Sequence, residues 1–392
     1  GMAARARARA GLQAAAAAGG ARGGAGGPRL VVLGCGGVGR ALLREVAREG
    51  HPAEVVAVCD SRAMLRAGGA GGVLSAEALG AVVAAKEGRQ GLSADGSDEG
   101  AVLLPLEEGL RALLADAPEA CTVVADCTAT DDVAEHLCAA LEGGYGVALA
   151  NKKPVTGSLA LWRRLRAHRE LFRWESTCGA GTPFISSLQR LVEGGDRVHR
   201  ISGAFSGTLG YVMSGVQGGA QAFSEVVSQA QAQGFTEPDP RDDLNGVDVA
   251  RKALILARML GWELELSDVS VESLFPAEMG PEQMSLEQFM QEGLPALDAG
   301  MRERVAAAEA KGARLRFAAT VEGGQCRVGL VEAAASSGLG QLQGADNILE
   351  VSSDIYSDSP LIIQGAGAGF ECTAMGVLGD AQLIYAGSLW RK

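Results

Sequence analysis

Residues 234–252, GFTEPDPRDDLNGVDVARK, hold eight ionisable side chains in nineteen positions and lead straight into the apolar run ALILARML. Asp248 and Lys252 stand four residues apart, the spacing that puts an acid and a base on one face of a helix. A charged loop with an i,i+4 ion pair ahead of a core helix is one reading. The floor of an active site is the other. A second cationic feature is ANKKP, where Lys152 and Lys153 stand at the end of a strand read over 146–154. At the carboxyl edge of a parallel strand, the usual place for a ligand in an open α/β sheet, one of the two would face a crevice. A lysine there could polarise a carbonyl or carry a proton, as a developing alkoxide requires. Partial burial would lower its pKa toward neutrality.

The elements that must position these groups begin with RLVVLGCGGVGRALLREV. Leu30 to Leu33 read as a strand, Gly34, Gly36 and Gly39 as a G-x-G-x-x-G turn, and the remainder as an amphipathic helix. That context lets a backbone approach a pyrophosphate at a helix N-terminus, with Gly34, Gly36, Gly37, Val38 and Gly39 as the contacts. Asp60 ends the second strand, 53–60, where a carboxylate would take the ribose hydroxyl of NAD. Arg62 argues for NADP instead, since a guanidinium can hold the extra phosphate. We favour NADP and keep NAD as the alternative.

Strands then alternate with helices: helix 106–120, strand 121–129, helix 131–144, strand 146–154 and a helix from Ser158. This pattern predicts a parallel sheet with helices on both faces. Residues 66–100, rich in Gly, Ala and Ser, read as a loop-rich excursion. Residues 315–333 alternate like a β-hairpin with a Gly-Gly turn. The final stretch, from Leu361, reads as strand, glycine turn and helix, with the helix returning to the first domain. The domains expected are 29–176 plus about 345–392 for nucleotide binding, and 177–344 for catalysis and dimerisation.

Composition bounds the rest. The 392 residues are 47% hydrophobic and 21% charged with net charge −12. An acidic chain of sequence pI near 5.0 is a poor partner for nucleic acid or an anionic membrane. No stretch approaches the length of uninterrupted apolar sequence that spans a bilayer. The eight cysteines are scattered without a C-x-x-C pair, and the four histidines form no ligand pair. Buried free thiols, with no disulfide framework and no zinc, are expected. Residues 1–28 form an Ala/Gly/Arg leader without an acid, matching either a transit peptide or a disordered tail. Location would be plastid in the first case and cytoplasmic in the second.

Five separated segments, ANKKP, GAGTPFIS, FSGTLGYV, GFTEPDPRDDLNGVDVARK and QGAGAG, resemble homoserine dehydrogenase in order and spacing, over roughly residues 29 to 390. The resemblance implies a Rossmann-type nucleotide-binding domain completed by C-terminal segments, joined to an α+β catalytic and dimerisation domain in a homodimer. It implies NAD(P)H-dependent interconversion of L-aspartate 4-semialdehyde and L-homoserine, on the route to threonine, isoleucine and methionine. Lys252 is then the proton donor and Lys152 its partner. Glu237 and Asp248 hold the substrate's amino group and its surroundings, with Gly234 beside them, and Thr128 and Gly369 contact the nucleotide. A monovalent cation, usually sodium, would take the Glu175 side chain and the carbonyls of Cys178, Ala180 and Thr182. Cys127 and Thr182 depart from the residues usual at those positions. The chain has no room for the aspartate-kinase region or the regulatory domain of some relatives, so a monofunctional enzyme is expected. Competing readings are another semialdehyde oxidoreductase, a silent nucleotide sensor, and a thiol mechanism through Cys178.

Overall fold

The computed structural model describes residues 26–69, 72–94, 98–115, 117–118, 121–219 and 221–389. Most of the leader, residues 1–25, lies outside the described residues. The architecture is α/β, with a Rossmann-like sheet and a second sheet domain, as the sequence led us to expect.

The first sheet has the order β4-β3-β2-β1-β5-β6-β7. Its strands are β1 (Arg29–Leu33), β2 (Glu54–Cys59), β3 (Ala63–Arg66), β4 (Val102–Pro105), β5 (Thr122–Asp126), β6 (Gly146–Leu149) and β7 (Phe172–Arg173). From β2 across to β7 the strands are parallel. Leu30 to Leu33 of β1 are buried throughout, as a central strand covered on both faces requires. Two expectations are corrected here. The sheet is not wholly parallel, because β3 and β4 extend its edge in antiparallel pairing. The 66–100 segment is not merely loop-rich, since Ala76–Glu87 is a helix. Its N-cap Ser75 accepts from the Ala78 N–H at 3.1 Å, and it buries Leu79, Val82 and Val83. Three medium side chains at helical spacing suffice because alanine fills the positions between them at little entropic cost.

The second sheet has the order β13-β12-β8-β10-β11-β9. It comprises β8 (Val198–Ala204), β9 (Val269–Val271), β10 (Ala313–Glu322), β11 (Gln325–Ala334), β12 (Asp346–Ser353) and β13 (Leu361–Ala366). Gly323 and Gly324, both at positive φ, turn the β10–β11 hairpin. Helices Gly207–Gly215, Val247–Met259 and Asp298–Ala310 pack on this domain's strands.

The terminal helix, Phe370–Leu389, leaves the second sheet and packs on the helix Gly37–Val46 and on β5 and β6. Ala374, Val377, Leu378, Ala381 and Ile384 are buried in the same cluster as Leu30, Val32, Leu42, Val123 and Ala148. Val377, Leu378 and Ile384 each contribute roughly 1.5–3 kcal/mol of apolar burial. The return begins later than the boundary of about 345 drawn from the sequence. Both β12 and β13 are hydrogen-bonded into the second sheet, so only the helix rejoins the first.

Candidate active site

The glycine turn is shaped by sterics. Gly34 sits at φ +91°, and a Cβ on Gly39 would lie 1.9 Å from the Gly34 carbonyl oxygen. Only glycine lets the helix start this close to the strand. Two cavities adjoin at the turn, of about 460 and 650 Å³, and share Gly34, Gly36 and Thr128 in their linings.

Asp60 lines the smaller cavity. Its Oδ1 accepts from the backbone N–H groups of Arg62 and Ala63 at 2.8 and 2.9 Å, and Lys86 pairs with its other oxygen. Burial pushes the carboxyl up, but the Lys86 ammonium and the two amides outweigh it and hold the group below its ordinary range. Arg62, expected as a phosphate clamp, is absent from that lining. Lys86 occupies it instead. Sequence reasoning missed this lysine because it belongs to the helix read as loop. His136 and Glu107, paired at 3.2 Å, complete the far wall and were also missed, since nothing local marks them.

The larger cavity gathers Gly37, Val38, Lys152, Glu237, Lys252 and Gly369. Asp248 bridges the two lysines, its Oδ2 2.8 Å from Lys252 Nζ and its Oδ1 3.2 Å from Lys152 Nζ. Lys252 also donates to the Phe205 carbonyl at 2.5 Å. The helix Val247–Met259 carries this pair. It is launched by Gly246 at φ +74°, where a Cβ would sit 2.8 Å from the Phe317 ring. Burial lowers the Lys252 pKa, yet the adjacent Asp248 carboxylate more than offsets this, and the net shift is upward. The expectation of a lysine drawn toward neutrality is therefore corrected: Lys252 is a held ammonium. For Asp248, burial raises the pKa while Lys252 and Lys152 prevail, leaving it well below the carboxylate range.

Lys152 and Lys153 lie beyond β6, which ends at Leu149, so strand alternation does not separate them. A short helix, Lys153–Thr156, does so. Lys152 faces the cavity, whereas Lys153 pairs with Asp131 at 3.1 Å. In the charged stretch, the Glu237 N–H donates to Asp243 at 2.8 Å. Arg241 is buried, holds Asp239 through two nitrogens and donates to the Met279 and Met284 carbonyls. Gly234 is at φ +72° and does not line the cavity.

Glu175 is buried, and its two oxygens accept from the Ile185 and Ser186 N–H groups at 2.8 and 2.9 Å, at the start of the helix Phe184–Glu193. Burial pushes its pKa up. The adjoining loop turns through Gly179 at φ +84° and Ala180 at φ +54°, a strained conformation for alanine. Among the described residues no three His, Cys, Asp or Glu side chains form a metal cluster. Thr182 is buried and its hydroxyl donates to the Ala366 carbonyl at 3.3 Å. Cys178 is wholly buried and its thiol is pushed up to about 12, chiefly by desolvation. That is inconsistent with a thiolate nucleophile at neutral pH. Cys127 lines the larger cavity beside Thr128.

Two family models match the chain. One, described as homoserine dehydrogenase, covers residues 183–381. The other, described as homoserine dehydrogenase, NAD binding domain, covers 34–173. A homoserine dehydrogenase of Emericella nidulans is 37% identical over 365 residues, covering 90% of this chain and 96% of that one. A chloroplastic bifunctional aspartokinase/homoserine dehydrogenase of Zea mays is 43% identical over 265 residues, 66% of this chain but only 28% of its own length. The chain thus matches under a third of that relative. A hyperthermophilic archaeal homoserine dehydrogenase solved in complex with NADPH superposes with a TM-score of 0.66 at 20% identity, over 90% of this chain and 96% of that one. At that identity the likeness concerns the fold alone.

Proposed function

Because the chain belongs to the homoserine dehydrogenase family, we propose that it interconverts L-aspartate 4-semialdehyde and L-homoserine with NAD(P)H. The observation that carries this reading is the Asp248 carboxylate shared by two lysines that face one cavity with the glycine turn. Bound NAD(P)H supplies a hydride. Lys252 holds the proton that the new alkoxide takes, and its ammonium stabilises negative charge on the oxygen before transfer. Lys152 adds a second positive charge on the same side. Glu237, at the cavity rim, supplies a carboxylate for the substrate's ammonium, and Asp243 fixes its backbone. Asp248 keeps Lys252 charged and aims both lysines.

NADP is the favoured cofactor. Lys86 beside Asp60 offsets the carboxylate that would otherwise repel a 2′-phosphate. A monovalent cation, sodium by family resemblance, is proposed on Glu175 and the carbonyls of Cys178, Ala180 and Thr182, where it would fix the loop beneath the lysines. Assembly is proposed as a homodimer. The second-sheet surface around Ser202, Thr320 and Ser352 carries a cavity of about 320 Å³. Among the described residues no helix is long and apolar enough to cross a membrane. The leader's two readings divide location between plastid and cytoplasm.

The test follows NADPH absorbance with aspartate semialdehyde, and NADP reduction with homoserine. Turnover in both directions is expected, and absence of both rejects the reading. Lys252→Ala should lower kcat about 1,000-fold with NADPH binding retained. Loss of folding instead would make the residue structural.

A further inference from the structure

Asn151 lines neither cavity. It is 3% exposed, between the end of β6 and the short helix after it. Its side-chain amide is nonetheless fully engaged. Nδ2 donates to Asp126 Oδ2 at 3.1 Å, to Thr128 Oγ1 at 3.1 Å and to the Thr130 carbonyl at 2.8 Å. Oδ1 accepts from the Lys153 N–H at 3.1 Å. Two N–H bonds thus serve three acceptors, so one is shared, and the carbonyl half ties the start of the lysine-bearing helix. Asp126, itself wholly buried, accepts from the Thr128 N–H at 2.9 Å.

One amide therefore joins the loop carrying Thr128, which borders both cavities, to the peptide following Lys152, whose ammonium reaches Asp248. We propose that Asn151 is a positioning residue that sets the nucleotide side of the site against the lysine side. The proposal rests on the dehydrogenase reading above. Hydride and proton must reach one carbonyl group from two directions. A displacement of about 1 Å between their donors can lower the rate about a hundredfold. The alternative is that Asn151 only solvates a buried aspartate, a requirement of folding alone.

Two variants separate these roles. Asn151→Asp removes the donors facing Asp126, Thr128 and Thr130. The exchanged pair, Asp126→Asn with Asn151→Asp, restores a donor and an acceptor between positions 126 and 151. It also keeps an oxygen for the Thr128 N–H and for the Lys153 N–H. The Thr130 carbonyl, however, still faces a carboxylate. Measurements are Tm by calorimetry, NADPH Kd by fluorescence, and kcat with aspartate semialdehyde. Asn151→Asp should lower Tm, raise Kd about tenfold and lower kcat about tenfold. The exchanged pair should recover most of the Tm while Kd and kcat stay displaced.

Recovery of all three together, or a Tm change with Kd and kcat unaltered, overturns the proposal. Should either variant fail to fold, Asn151→Ser decides by the same split: displaced Kd and kcat at near-native Tm support positioning, and unchanged values reject it. Wild-type protein that binds NADPH but leaves the aldehyde unreduced removes the proposed activity. The Kd comparison still decides whether Asn151 positions Thr128.

Discussion

At the scale of single residues, the decisive fact is which partner sets a charge. Lys252 is surrounded by protein that disfavours an ammonium, and one carboxylate reverses that preference. Asp248→Asn should therefore let the lysine's pKa fall. In the aldehyde-reducing direction the alkaline limb of the kcat/KM profile should move to lower pH, because the proton donor is lost sooner. An unmoved limb would mean that Lys252 does not supply the proton. The Asp248–Lys252 spacing was legible in the sequence, since four residues on a helix is a local relation. The choice of Lys152 over Lys153 came only through the family resemblance, not from strand alternation. It depends on where a strand ends and a four-residue helix begins, and boundaries of that kind are fixed by contacts from distant segments.

At the scale of elements, the helix Ala76–Glu87 changes the account of the cofactor. It was hidden by its own composition, because alanine and glycine give little apolar contrast between faces. Its last turn delivers Lys86 to Asp60, a contact between residues 26 apart. Lys86→Ala should raise the KM for NADPH about tenfold and leave that for NADH within about twofold, as loss of a phosphate-directed cation would. Arg62→Ala should do less, since that residue is absent from the lining. A reversed order would restore Arg62 as the phosphate ligand. The glycine turn and the β10–β11 hairpin, by contrast, were readable in advance. Each is specified by backbone conformations that glycine alone adopts easily.

Across the whole molecule, the terminal helix fastens the first domain to the loop beneath the site. The Asp380 carboxylate accepts from the Glu175 N–H at 2.7 Å, and burial pushes its pKa up to about 7. The folded protein keeps this proton to about neutrality, whereas the unfolded chain releases it near pH 4. Between those values the folded state binds more protons, so the group makes stability fall as pH rises. Asp380→Asn should flatten the fall in Tm between pH 5 and 8, a difference of about 2–4 kcal/mol at most. An unchanged slope would show that Asp380 is already ionised in the folded state. The helix's return was legible as a strand, glycine turn and helix at the end of the chain. The sheet that claims β12 and β13 was not, because strand pairing across 150 residues leaves no local trace.

That path has a consequence for how the protein is made. The nucleotide-binding sheet is specified by residues 29–173, but one face of it, covered in part by the helices Gly37–Val46 and Ala76–Glu87, is completed only when residues 370–389 arrive. A ribosome must translate the whole second domain in between. During that interval Leu30, Val32, Val123 and Ala148 lack their final cover, and the nascent chain presents an apolar sheet face to whatever binds such surfaces. Protection of that face during synthesis then matters to yield alongside native stability.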